Sequence, residues 1–156
     1  MKKTIIIAFV FLVFAACTPK PGSIPNTGDS QTPKADNKLL NTSWRLVSFG
    51  QSGAEMPVIE GSKVTLQFNA EGKASGSGSC NSYSAQYQVK ENLLSFGEIN
   101  RTLMACEQPG IGQQEQDYLQ TLESAGRFEL AGDHLTIWYG NGQGVLNWVK
   151  PADAPS

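Results

Sequence analysis

Residues Ala74–Cys106, ASGSGSCNSYSAQYQVKENLLSFGEINRTLMAC, decide how this chain folds. A Gly/Ser-rich opening runs into Cys80-Asn81 and then into a clean alternation. Tyr83, Ala85, Tyr87 and Val89 stand on one face, and Ser84, Gln86, Gln88 and Lys90 on the other. A period of two marks a half-buried strand. Glu91-Asn92 supplies turn residues and Leu93 to Phe96 returns the chain, so the stretch reads as hairpin with a cysteine near each end.

Outward from that hairpin the same signals recur. Upstream, Trp44 to Phe49 is a strand candidate with apolar residues on both faces, and Gly50 to Gly61 reads as loop. Lys63 to Phe68 alternates with Val64, Leu66 and Phe68 inward, and Asn69-Ala70-Glu71-Gly72 turns it into Lys73 to Ser77. Downstream of Cys106, EQPGIGQ is irregular. Gln113 to Ala125 then carries an apolar stripe of Tyr118, Leu119, Leu122 and Ala125 at helical spacing, with Gly126 as its stop. Three strands follow, Arg127 to Leu130, Leu135 to Tyr139 and Val145 to Val149. The expected fold is β-rich α+β: about eight short antiparallel strands in a barrel-like wrapped sheet, with one helix packed on it or plugging it.

The start of the chain sets a compartment. Lys2 and Lys3 precede a short apolar run from Thr4 to Ala16, below the ~20 residues that a spanning helix needs. A basic start, a short apolar core and small residues at its end predict a secretory signal peptide over 1–16. Phe14-Ala15-Ala16-Cys17 resembles a bacterial lipobox, which makes Cys17 the expected lipidation site. The other reading is an ordinary signal peptide cut before Cys17. Residues 17–38 are rich in Pro, Ser, Thr, Gly, Asn and Lys and read as a tether behind the lipidated N-terminus. One domain over 39–150 and a disordered tail over 151–156 complete the expected organisation.

Removal of Lys2 and Lys3 turns 12 basic residues into 10 against 14 acidic ones, a mature net charge of about −4. No basic cluster offers an electrostatic footprint for nucleic acid. With Cys17 assigned to lipid, Cys80 and Cys106 remain as an even pair in an oxidising compartment, which favours a structural disulfide. It would close a loop of about 27 residues, worth about 3 kcal/mol in the chain-entropy model. Two free buried thiols, or a catalytic thiol at Cys80, are the rival readings. The one histidine, His134, cannot complete a zinc site with these cysteines, so no metal is expected.

Few residues invite a chemical role. Gly76-Ser77-Gly78 starts like a phosphate loop, but the sixth position is Asn81 and no helix follows. Glycines here are better suited to tight bending or close strand packing. The acids are scattered, so neither a carboxylate pair nor a Cys80/His134 nucleophile pair is supported, and no catalytic residue or cofactor is expected. Asn81, Ser82 and Tyr83 form either a polar recognition edge or a turn that satisfies its own backbone. Trp138 faces away from Leu135, Ile137 and Tyr139, so it is either covered, with the helix as the obvious cover, or exposed for a partner.

The opening Thr42-Ser43-Trp44-Arg45-Leu46 strand, the Val64–Phe68 strand, the Gly76–Tyr83 segment, Thr102-Leu103-Met104-Ala105-Cys106, the Glu115–Leu122 helix and Leu135-Thr136-Ile137 carry a resemblance. Together they are similar to the META domain, the family that includes the HslJ-like heat-shock lipoproteins of bacteria, over about Leu40 to Trp148. Two departures are Ser79, where the family usually has Gly, and Ala85, where Gly is common. The resemblance implies a barrel-like fold with one helix, an envelope location, and loose links to stress and novobiocin tolerance. The lipid anchor is expected from Cys17, and the outer membrane, facing the periplasm, from Thr18 standing where an inner-membrane retention signal often has Asp. It implies no catalytic residues. The expected protein is a monomer that meets the membrane through its lipid and binds an envelope protein or a small hydrophobic ligand. The alternative is an inhibitor or assembly (pilotin-like) partner, and less so a thiol enzyme.

Overall fold

A computed structural model describes residues 39–152. The expected signal peptide, the expected lipidation site Cys17, the expected tether up to residue 38 and the last four residues lie outside them. Ten strands and one helix follow in the order β1 (Ser43–Gln51), β2 (Ala54–Pro57), β3 (Thr65–Phe68), β4 (Lys73–Ser77), β5 (Ser82–Lys90), β6 (Leu93–Phe96), β7 (Asn100–Arg101), α1 (Ile111–Glu123), β8 (Ala125–Ala131), β9 (His134–Tyr139) and β10 (Gly144–Val149). Neighbours run β10-β9-β8-β6-β5-β4-β3-β1, and β10 pairs back onto β1, so eight antiparallel strands close a barrel. Closure matters because an open sheet leaves rows of unpaired backbone groups at its edges.

The two nine-residue strands organise the closure. Along one edge of β1, Ser43 to Arg45 pair with β3, and Ser48 to Gln51 pair with β2. Along one edge of β5, Tyr87 to Lys90 pair with β6, and Tyr83 and Ser84 with β7. This corrects the expectation of loop throughout Gly50 to Gly61. Gly and Pro there weaken a local strand signal, but β1 outruns β3 and offers β2 an edge to pair with.

The predicted alternation is what fills the barrel. Trp44 and Leu46 of β1, Leu66 and Phe68 of β3, Tyr83, Tyr87 and Val89 of β5, Leu135 and Ile137 of β9, and Leu146 and Trp148 of β10 belong to one buried cluster. Tyr118, Leu119 and Leu122 of α1 join the same cluster, and the Tyr118 ring meets Tyr83 and Trp148 edge-on at 5.7 Å each. The helix therefore covers the inner face of β10, at Trp148, rather than the outer face of β9, where Trp138 lies.

The helix also differs from its sequence reading at both ends. It starts at Ile111 behind Gly110, whose φ of 82° is the left-handed backbone glycine adopts freely. It stops at Ser124, whose hydroxyl donates to the Gln120 and Thr121 carbonyls. Ala125 belongs to β8, and Gly126 is the extra residue of a bulge against β9 rather than a helix stop.

Candidate binding site

From Gly97 to Gly110 the chain leaves the barrel wall as a strap in which no residue is fully buried. Within it Leu103 is 85% and Met104 62% exposed. An apolar pair in water, on a segment with so little burial, would ordinarily sit on mobile chain. Here the segment is anchored from below.

The anchor begins with Glu115, a carboxylate 1% exposed on the buried side of α1. Its Oε2 accepts the backbone N–H groups of Cys80 at 3.1 Å and Asn81 at 2.7 Å, and its Oε1 accepts Asn81 Nδ2 at 2.7 Å. Arg101 Nη1 approaches Oε1 at 3.6 Å. A buried charge is tolerated only when paired and hydrogen-bonded, and this one has both. Asn81, its amide oriented by Glu115, then presents Oδ1 to the strap. That oxygen accepts the Thr102 hydroxyl at 2.9 Å and the Met104 N–H at 2.7 Å.

Two further features complete the clamp. Cys80 and Cys106 form a disulfide with their Cα atoms 5.6 Å apart, an ordinary separation for such a bond, and so tie the far end of the strap to the β4–β5 turn. Glycine is required in that turn for space. A Cβ on Gly78 would lie 2.5 Å from Glu115 Oε2, and one on Gly76 would run into the Thr65 carbonyl oxygen. The Gly/Ser run is thus a matter of close approach. Ser79 sits at φ 93°, a left-handed backbone costly for a side chain, which explains why glycine suits this position.

Below the clamp, the hydroxyls of Tyr83 and Tyr118 bond to each other, and Tyr83 also donates to the Thr65 carbonyl at 2.8 Å. Burial pushes both phenols well above the ordinary tyrosine range. A cleft of about 290 Å³ opens beside the disulfide, lined by Gly61, Ser62, Met104, Cys106 and Ile111 among others.

The residues singled out from sequence fall in different places. Asn81 is 5% and Tyr83 4% exposed, so neither forms an outward recognition edge; only Ser82 of the three faces solvent. Burial wins because Tyr83 continues the inward face of β5, and Asn81 is drawn onto Glu115. Trp138 is half-buried on the outer wall, with the Arg127 guanidinium 3.8 Å above its ring, far from the role of helix contact. Glu115 was not singled out, yet its spacing placed it. It stands three and four residues before Tyr118 and Leu119, on their stripe, and a charged residue there signals a buried partner. Leu103 and Met104 carried no sequence signal of exposure.

The family model of the META domain matches residues 37–152. A protein from Burkholderia xenovorans, known from an NMR structure, is 28% identical and superposes with a TM-score of 0.62, over 87% of this chain and 99% of its own. A DUF4847 family protein from Bacteroides vulgatus ATCC 8482 is 12% identical with a TM-score of 0.55, over 76% of this chain and 96% of its own; that likeness is one of fold. No curated protein matches the chain.

Proposed function

Because this chain belongs to the META-domain family, we propose that it is a lipid-anchored, non-catalytic binding module of the bacterial envelope. The observation that carries this reading is the strap. Leu103 and Met104 are held out in water by a buried carboxylate, an oriented asparagine and a disulfide. A backbone already held in place lowers the ordering cost at the moment of contact, and methionine's flexible side chain adapts to varied partners. A protein partner suits such a tip, which favours the inhibitor or assembly form of the reading, with envelope stress or antibiotic exposure as its setting.

A thiol enzyme built on Cys80 is the reading from another class. Its nucleophile would have to be a thiolate, and here the sulfur is bonded to Cys106. The bond also suits an exported protein. Export itself rests on Lys2-Lys3, the apolar run and Ala15-Ala16-Cys17. Two acyl chains or more on Cys17 would hold the domain firmly, where one would not.

The test is affinity capture of the full chain from intact envelopes, against a Leu103→Ser/Met104→Ser double variant. The proposal expects one or more proteins captured by wild type and lost from the variant, whose melting temperature should stay within about 2 °C because the altered side chains are exposed. An unchanged capture profile would remove the strap as the binding element. Mature protein that begins at Cys17 without added lipid, by mass spectrometry, would remove the anchor.

A further inference from the structure

On the outer wall, away from the strap and independent of its role, the barrel has a narrow seam. Strands β6 and β8 share one register pair, Leu93 with Arg127. At the same place the bulge inserts Gly126 between Ala125 and Arg127, which shifts the register against Trp138 and Tyr139. A bulge re-aims the side chain that follows it. Here it lays the Arg127 guanidinium 3.8 Å over the Trp138 ring. Gly126, lacking a side chain, leaves the ground beside that stack open.

Two clefts meet there. One of about 540 Å³ includes Leu93, Arg127 and Trp138 in its lining, and another of about 310 Å³ includes Lys90; they share Leu93, Ala125 and Gly126 and so form one groove. Its volume is in the range of metabolite-sized sites. Leu93, 53% exposed, and Ala125 supply apolar lining, beside the polar Ser95, Ser124 and Asn141. Its two cations, Arg127 and Lys90, have no carboxylate within 4.0 Å among the described residues, where Arg101–Glu115 is the ion pair found. Glu129, the next residue on the same face of β8 as Arg127, does not reach it.

These observations converge on one ligand chemistry. A guanidinium stacked on an indole has given up one face and lost much of its rotamer freedom, while its edge of N–H donors stays free for a planar, bidentate acceptor. The exposed leucine beside it favours a flat apolar body. We infer that the Arg127–Trp138 groove binds an organic carboxylate carrying an aromatic ring system, with the carboxylate on the Arg127 edge, the ring over Leu93 and Ala125, and Lys90 adding positive potential at the far end.

The test is titration calorimetry of the full chain in lipid nanodiscs with three probes: 2-naphthoate, its neutral counterpart 2-naphthylmethanol, and acetate. The inference expects saturable binding of 2-naphthoate at least tenfold tighter than that of either other probe. Arg127→Gln should reduce it at least tenfold, and Lys90→Gln two- to threefold, with 2-naphthylmethanol unaffected in both. The Lys90 variant decides the matter should Arg127→Gln not fold. Equal binding of 2-naphthylmethanol would make the groove a general apolar patch, and equal binding of acetate would make Arg127 an adventitious ion site. Either result overturns the inference, as does 2-naphthoate binding unchanged in the folded variants. None of these results bears on capture through Leu103 and Met104, so the two proposals fail separately.

Discussion

Each strand of the barrel is hydrogen-bonded to a neighbour on both sides and sends alternate side chains into one core, whereas residues 97–110 bury no side chain fully and rest chiefly on three anchors. Those anchors are the two-residue pairing of β7, the Asn81 carboxamide oriented by Glu115, and the disulfide. The wall gains stability from apolar area removed from water, which is cooperative and spread over many residues. The strap cannot draw on that, so it is fixed by a few directional or covalent links. The wall's stability is shared among many buried side chains, and the strap's order hangs on a few groups.

The largest effect should come from the wall. Trp148→Ala removes a ring only 1% exposed and packed against Tyr118, and should cost about 4 kcal/mol in denaturant unfolding. A loss below about 1 kcal/mol would mean that the barrel does not depend on its core, and the contrast would collapse. Next in size is the strap's covalent anchor. Replacing both Cys80 and Cys106 with Ser should cost about 3 kcal/mol. Native-state hydrogen exchange should then show extra opening at Thr102 to Met104 beyond the global loss. Uniform loosening of strap and barrel alike would merge the two regions into one cooperative unit.

Glu115→Gln sharpens the comparison at nearly constant volume. Both carboxylate oxygens accept N–H donors, so an amide must point its own N–H₂ at a donor whichever way it turns. A cost of about 2 kcal/mol follows from the buried donor left unmatched and the weakened contact to Arg101. A neutral result, by the same unfolding assay, would show that the charge is dispensable to the clamp.

The smallest effect is a pH dependence that belongs to the barrel. Burial raises the folded pKa of Tyr83 and Tyr118 above the unfolded value near 10. The folded state therefore keeps these protons longer than the unfolded one. The stability tied to them is complete below about pH 10 and is lost as pH rises toward the folded values. Unfolding free energy measured from pH 8 to 11 should fall only in the upper part of that range, and less steeply in Tyr118→Phe. A fall that begins near pH 8 would point to other groups.

Much of the wall was legible because its signal is local. Tyr83, Ala85, Tyr87 and Val89 alternate in sequence and lie inside, as do Leu66 and Phe68. The helix stripe at Tyr118, Leu119 and Leu122 was equally plain, and the two cysteines pair as their count favoured. The site was harder to read. Asn81, Ser82 and Tyr83 read as a polar edge or a self-satisfying turn, and neither reading contains Glu115, 34 positions away from Asn81, which draws that residue inward. Strand β2 has too much Gly and Pro around it to declare itself, and exists because β1 extends past β3. Nothing in the sequence near Leu103 and Met104 marks them as exposed.

By itself, then, the sequence determined the strand and helix faces, because a side chain's face follows from its period along its own element. It also determined the short apolar start and the cysteine arithmetic, which are properties of composition and spacing. Only the tertiary structure decided that β10 closes onto β1, that a carboxylate from the helix holds the turn at Cys80 and Asn81, and that a bulge stacks Arg127 on Trp138. Each of these is a meeting between residues far apart in the chain. The physical reason is that such meetings are selected by the burial and hydrogen-bond satisfaction of the whole barrel at once, and no local window of sequence contains that sum.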